Sequence, residues 1–382
     1  MSSRKSTLAI FGVFFLESVV LGNWIPRIPD IKENLGLSDG QLGISLFAMP
    51  LGTLIGLLVA SKIIEQVGGL RRACQVFLPL WALSFILPPL APDQSLFMLF
   101  LLICGFAVGL VEVAMNTEAD RIEQHFSIRI MSRCHGFWSL GSMVGALTGG
   151  ALAQAGVTLS IHFILLMPLF ALLGWFTASQ LPVSAAVEPT DASPPVVRLP
   201  SVSILLLCIL PIGAMVVEGA FIDWSGVFMR SILEASPLVI SITYSFFAIV
   251  MAAVRLCGDM INEKFGAKLI VQVSGIAATA GIVLFALAPN VQVAFLAAAL
   301  SGMGVAIVYP LAVTAAARRP GRSSDNVAAL SMIAFSAFLI SPPIIGLLSE
   351  LFGLRVALLL LAPMALSTVL LASQVEPLAN DH

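Results

Sequence analysis

Charge is what this sequence has least of. Asp, Glu, Lys and Arg together make up 10% of its 382 residues, against about 25% in a typical soluble domain. So few charged side chains cannot coat the water-facing surface of a chain this long, which excludes a soluble globular enzyme. The formal net charge of −2 offers no basic footprint, so no nucleic-acid partner is expected. Long polar tracts of the kind that stay disordered are missing too. The five cysteines, Cys74, Cys104, Cys134, Cys208 and Cys257, lie in apolar runs or at their ends, so no disulfide framework is expected. Neither H-E-x-x-H nor a Cys/His cluster suggests a metal. No G-x-x-x-x-G-K-[ST] loop supports ATP-driven work. No nucleophile–base motif points to catalysis. The chain is expected to be no enzyme and to need no cofactor.

What the sequence does have is hydrophobicity: 59% of its residues are apolar and the mean hydropathy is +1.02. Helices and closed barrels can both cross a bilayer, because both satisfy every backbone polar group internally. Barrel strands alternate polar and apolar residues. Here the apolar stretches are continuous, as in Leu96–Val113 and Ala357–Leu371, and a spanning helix takes roughly 20 residues. The reading is an all-α polytopic membrane protein. Twelve runs are expected, near 7–28, 41–64, 73–91, 95–117, 134–155, 158–180, 202–229, 237–259, 267–288, 291–316, 326–350 and 354–374. The first is long and no A-x-A site follows it, so it is expected to remain as a span.

Lys and Arg set the orientation. With the N-terminus in the cytoplasm, fifteen of the nineteen fall on the inner side, and only Arg27, Lys32, Arg230 and Arg355 fall outside. Both termini are then cytoplasmic. Residues 181–201 carry Pro182, Pro189, Pro194, Pro195 and Pro200. This reads as a cytoplasmic linker between an N-terminal six-helix half, 1–180, and a C-terminal one, 202–382. The halves echo one another. Glu17, Asn23 and Trp24 correspond to Glu218, Asp223 and Trp224. Ser45–Ala48 resembles Ser245–Ala248 at an offset of 200, Glu65–Gly68 resembles Glu263–Gly266 at 198, and Gly105 matches Gly302 at 197. Matches at nearly one offset argue for a duplicated unit, and parallel repeats about an axis normal to the membrane suit a two-halved transporter.

Twelve helices in a 6+6 arrangement resemble the major facilitator superfamily. The loop Gly258-Asp259-Met-Ile-Asn-Glu263-Lys264-Phe-Gly266-Ala-Lys268 is similar to that family's cytoplasmic G-x-x-x-D-R-x-G-R-K signature, and Glu65–Arg72 is a more degenerate copy. Three further stretches resemble a narrower bacterial branch, the YbjJ-like/MosC-like transporters. They are Asn23-Trp24-Ile-Pro26-Arg27-Ile-Pro29 with Leu35–Ser38, Met115-Asn116 leading to Ser132–Gly136, and Glu218–Ser225. The resemblance implies two pseudo-symmetric halves around one central site.

Charges inside hydrocarbon cost several kcal/mol, roughly 2.5–3.5 on insertion scales, so intramembrane carboxylates are the most informative residues. Glu17 stands about 15 Å into the first helix, near the midplane. Glu218 occupies the matching place in helix seven, and Glu112 lies inside helix four. Burial makes the neutral form of a carboxyl group accessible, so these three are candidates for proton coupling. A structural bond to a neighbouring helix is the other reading. Candidates for the substrate are Asn23 and Trp24, Asn116 one turn after Glu112, Asp223 and Trp224, and the only two tyrosines, Tyr244 and Tyr309. For the tryptophans the alternative is an interfacial belt, and for Asn116 interhelical glue. His135 reads as a cap or loop contact. Arg255 and Asp259 are i,i+4 and can pair; the resemblance implies a cytoplasmic gate there. Gly141, Gly145, Gly149 and Gly150 suit close helix packing. They also resemble an antiporter signature, with Ala146 in place of its proline.

The expected function is secondary active transport of a small polar organic solute across the bacterial inner membrane by alternating access, coupled to protons. The protein is expected to act as a monomer among membrane lipids. Proton-driven efflux of drugs or metabolites, and a non-transporting membrane sensor, are the alternatives.

Overall fold

The computed structural model describes residues 3–182, 202–320 and 322–376. Every regular element among them is helical. The first span is α1 (Ser3–Trp24), continued by a 3-10 turn at Ile25–Arg27 and by α2 (Ile28–Leu35). Then come α3 (Asp39–Leu46) with α4 (Ala48–Gln66), α5 (Leu70–Ser84), α6 (Gln94–Phe126), α7 (Met131–Gln154) and α8 (Leu159–Ser179). The second set opens with α9 (Val202–Ile209), α10 (Ile212–Asp223) and α11 (Ser225–Ser231), which together form span seven. It goes on through α12 (Pro237–Phe265), α13 (Ala267–Ala286), α14 (Val291–Val305) with α15 (Val308–Ala317), α16 (Ser323–Phe352), and α17 (Leu354–Leu359) with α18 (Ala362–Leu370). Ten of these units are long and apolar enough to cross a membrane. With α7 and the shorter apolar unit Leu354–Leu370 there are twelve, at the positions the sequence predicts.

Local chemistry starts and stops the helices. Ser38 and Gln41 form a capping box at α3. Asp93 and Asn290, 197 residues apart, each cap a long apolar helix by accepting from a backbone N–H three residues on, which satisfies a donor the helix itself cannot. Gly36, with φ +61°, ends α2 in the left-handed conformation that costs glycine nothing.

Packing then follows small residues. A Cβ on Gly105 of α6 would stand 1.8 Å from the carbonyl oxygen of Met49 on α4, and one on Gly302 of α14 would stand 2.2 Å from that of Phe247 on α12. These two close crossings are equivalent under the internal offset. The glycines of α7 serve the same purpose: a Cβ on Gly145 would lie 2.2 Å from the carbonyl oxygen of Val19 on α1. The α7 stripe is therefore a packing surface. Helix α7 sits between α1 on one side and α12, from the second set, on the other. The expected linker, 181–201, lies outside the described residues apart from Leu181 and Pro182.

Candidate functional site

Near the middle of the spans the sequence-predicted acids come into one neighbourhood, each with a different partner. Glu17 on α1 is 1% exposed. Its carboxylate accepts from the indole Nε1 of Trp138 on α7 at 2.6 Å, and its backbone oxygen accepts from Trp81 Nε1 at 2.9 Å. Glu112 on α6 is half-buried. It accepts from Asn116 Nδ2 at 2.8 Å, and the same amide reaches the Glu112 backbone oxygen at 2.9 Å. Glu112 acts electrostatically on Glu17 and on Tyr309 of α15. The Tyr309 hydroxyl pairs with Ser331 Oγ at 2.9 Å.

A second group of side chains surrounds Arg255 on α12. Its Nη2 donates to Glu218 on α10 at 3.3 Å, its Nη1 to Ser139 Oγ on α7 at 3.1 Å, and its Nε to the carbonyl of Ala306 at 3.1 Å, where span ten breaks between α14 and α15. One guanidinium thus ties an acid of the second set to a helix of the first. Tyr244 is buried within electrostatic reach of Glu218, Arg255 and Asp223. Asp223 is half-buried at the junction of α10 and α11. Among the described residues, Glu218 is ion-paired with Arg255, while Glu17 and Glu112 are held by the neutral donors Trp138 and Asn116.

Other predicted residues have structural surroundings. Trp24 is not presented to this site. It is 1% exposed, and its ring is enclosed by Phe85, Phe97 and Phe163 with centroids 5.8–6.2 Å away, because span one lays that face against α5, α6 and α8. Asn23 is also taken up internally. Its Oδ1 meets His162 Nε2 at 2.9 Å and its Nδ2 donates to the Val19 carbonyl at 2.8 Å. Trp224 is fully buried, and its indole N–H has no hydrogen-bond partner among the described residues. His135 packs edge-on against Phe14, with centroids 5.4 Å apart. Arg255 is engaged by Glu218, Ser139 and Ala306; the side chain of Asp259, its expected partner, lies outside the described residues.

The ion pairs that join the two sets gather at the end opposite the termini, where α2 and the 3-10 turn before it meet α11 and where α3 meets α16. Arg230 reaches Asp30 at 3.1 Å and Glu33 at 3.5 Å, while Asp30 also holds Arg27 at 2.6 Å. The backbone N–H of Gly40 donates to Glu350 Oε2 at 2.9 Å, and Ser349 Oγ donates to Asp39. Lys32 pairs with Asp39 at 2.7 Å. Sequence reasoning used Arg27, Lys32 and Arg230 to set the orientation, and it gave no role to their partners or to Trp138 and Ser139. Partners across the two sets lie on different helices, up to 310 residues apart, so no local pattern in the sequence pairs them.

Twelve packed spans with an acidic polar centre shared by both sets define a multi-pass membrane transporter. Comparison with known proteins then assigns the family. The sequence model of the Major Facilitator Superfamily matches residues 8–336 and again 226–379, and the chain belongs to that superfamily. It is 27% identical over 368 residues to the uncharacterized transporter y4wD of Sinorhizobium fredii, covering 94% of this chain and 95% of that protein. It is 29% identical over 358 residues to the membrane protein MosC of Rhizobium meliloti, covering 93% and 87%. Among solved structures it resembles the nucleoside transporter NupG, with TM-score 0.73 at 13% identity over 98% of both chains. It also resembles the Escherichia coli fucose:proton symporter FucP, with TM-score 0.67 at 15% identity over 99% and 100%.

Proposed function

We propose that this protein is a secondary active transporter of the bacterial inner membrane that moves a small polar organic solute by alternating access, coupled to protons. The observation that carries this reading is the set of buried and half-buried carboxyl groups inside the spans. Glu17, Glu112, Glu218 and Asp223 all lie within the spans, and among the described residues only Glu218 of these four is ion-paired, with Arg255. Carboxylates in a membrane interior are expensive, and taking up a proton relieves that cost. Half-buried Glu112, Asn116, Asp223 and Tyr309 supply both donors and acceptors for a polar solute, which suits hydroxyl-bearing or cationic molecules. The two six-helix halves, 1–180 and 202–382, rock about this centre as rigid bodies, joined by a cytoplasmic linker at 181–201.

The excess of Lys and Arg on the terminal side supports cytoplasmic termini. In that orientation the ion-paired end bearing Arg230, Asp30 and Glu33 is periplasmic, and the conformation is closed to the outside. Alternating access then requires those ion pairs to part once per cycle.

Full-length protein in proteoliposomes tests the reading. Polyols, sugars and amino compounds are screened by counterflow, and the solutes that exchange are then offered with an inward proton gradient. Accumulation should collapse with a protonophore and be lost in Glu17→Gln and Glu218→Gln, while exchange survives. Accumulation at the wild-type rate in both variants, indifferent to protonophore, would remove proton coupling from the proposal.

A further inference from the structure

We infer that Trp138 is a positioning residue for Glu17: it holds the carboxyl group in one orientation between α1 and α7 and biases it toward its charged form. This rests on the reading of Glu17 as a proton site. An indole N–H can donate and cannot accept. The 2.6 Å bond from Trp138 Nε1 to Glu17 Oε2 therefore favours a carboxylate over an acid, whose own proton finds nothing to bind on the indole. A hydrogen bond made preferentially to the charged form raises the share of that form.

The donor cannot drift away. The Gly145 crossing locks α7 against α1 at backbone contact, and Ser18 Oγ donates to the carbonyl oxygen of Trp138 at 2.5 Å. Trp81 anchors the Glu17 backbone from a third helix, α5. Glu17 is thus gripped from two sides, at its carboxylate and at its backbone oxygen.

The other ionisable groups on the elements around α1 leave this bond as the nearby control. Helix α6 brings Glu112, whose charge acts on Glu17. Helix α7 brings His135, against the Phe14 ring, and Arg133, over the ring of Phe11. Helix α8 brings His162, held by Asn23. Helix α5 brings buried Cys74, with Arg71 and Arg72 at its start, and Arg27 beyond the end of α1 pairs with Asp30. None of these groups donates a hydrogen bond to the Glu17 carboxylate; Trp138 does.

The test is infrared spectroscopy of the full-length protein in lipid bilayers across a pH series, following the carbonyl stretch of protonated carboxyl groups. The part of that band missing in Glu17→Gln reports Glu17. In Trp138→Phe its midpoint should move to higher pH by about one unit, a tenfold change in proton affinity, and Trp138→Gln, which restores an N–H donor, should move it back. A midpoint unmoved in Trp138→Phe would overturn the inference while leaving Glu17 a proton site. If wild type and Glu17→Gln give the same band at every pH, the proton-site reading fails instead, and the inference with it. Should Trp138→Phe not fold, the wild-type protein decides. Its ultraviolet resonance Raman marker of indole hydrogen bonding should weaken at the midpoint where the carbonyl band grows, and should lose that step in Glu17→Gln. No such step in wild type would overturn the role given to Trp138.

Discussion

Replacing Arg230 with methionine should open the end of the bundle opposite the termini, periplasmic in the proposed orientation, by an amount its contacts set. Arg230 contributes two contacts across the closed end, to Asp30 at 3.1 Å and to Glu33 at 3.5 Å. Glu33 is 55% exposed and Asp30 18%, so solvent screens both pairs, and such pairs contribute about 0.2–1 kcal/mol each. Asp30 keeps Arg27 at 2.6 Å, so removing Arg230 strands no buried charge and adds no further penalty. The closed state should lose about 1 kcal/mol, which raises the ratio of open to closed molecules about fivefold.

Gly226 provides the reporter. It is buried, and a Cβ there would meet Ile25, Pro29 and Ile240, each at 3.4 Å, an ordinary contact. A cysteine therefore fits, and it is covered by the other set of helices only while this end is closed. In a background with the five native cysteines replaced, Gly226→Cys should react with a membrane-impermeant maleimide about five times faster when combined with Arg230→Met. Raising the salt should speed labelling in the Arg230 protein and have little effect in the variant, because screening weakens only a pair that is present. Equal rates in the two proteins, insensitive to salt, would show that these ion pairs do not hold the end shut.

Other expectations follow from the same geometry. Gly145→Leu should destabilise the fold at or beyond the upper end of the range of about 1–3 kcal/mol for overpacking, since the obstacle is the Val19 backbone and cannot rotate away; the melting temperature in detergent reads this, and an unchanged value would contradict the α1–α7 crossing. Arg255→Met should lower that temperature more than the double variant Arg255→Met/Glu218→Gln does, because the single change leaves an acid without its cation; a double variant less stable than the single would refute the pairing. A reporter active only in the periplasm, fused at Ala192, should be silent, and strong activity would reverse the proposed orientation.

Much of the fold was legible in the chain itself. The helices were visible because a bilayer admits no unsatisfied backbone, so a span declares itself by length and apolarity alone, independently of its neighbours. Caps at Ser38, Asp93 and Asn290 act within one turn and are equally local. The glycines of α7 announced close packing, and the depth of Glu17, Glu112 and Glu218 marked them as costly and therefore informative. What the chain could not disclose was which face of each helix meets which partner. Asn23 and Trp24 share α1 with Glu17, yet they stand nearly two turns further along it, where the bundle commits them to His162 and to a cage of phenylalanines. The sequence could not show that Arg255 Nε, Nη1 and Nη2 reach the break in span ten, α7 and α10. Trp138 meets Glu17 across 121 residues of chain, and Arg230 meets Asp30 across 200. Local rules of periodicity and capping determine where helices form. The rotation and depth at which they dock decide which polar atoms meet, and docking depends on backbone contacts such as Gly145 against Val19 that only the assembled bundle brings together.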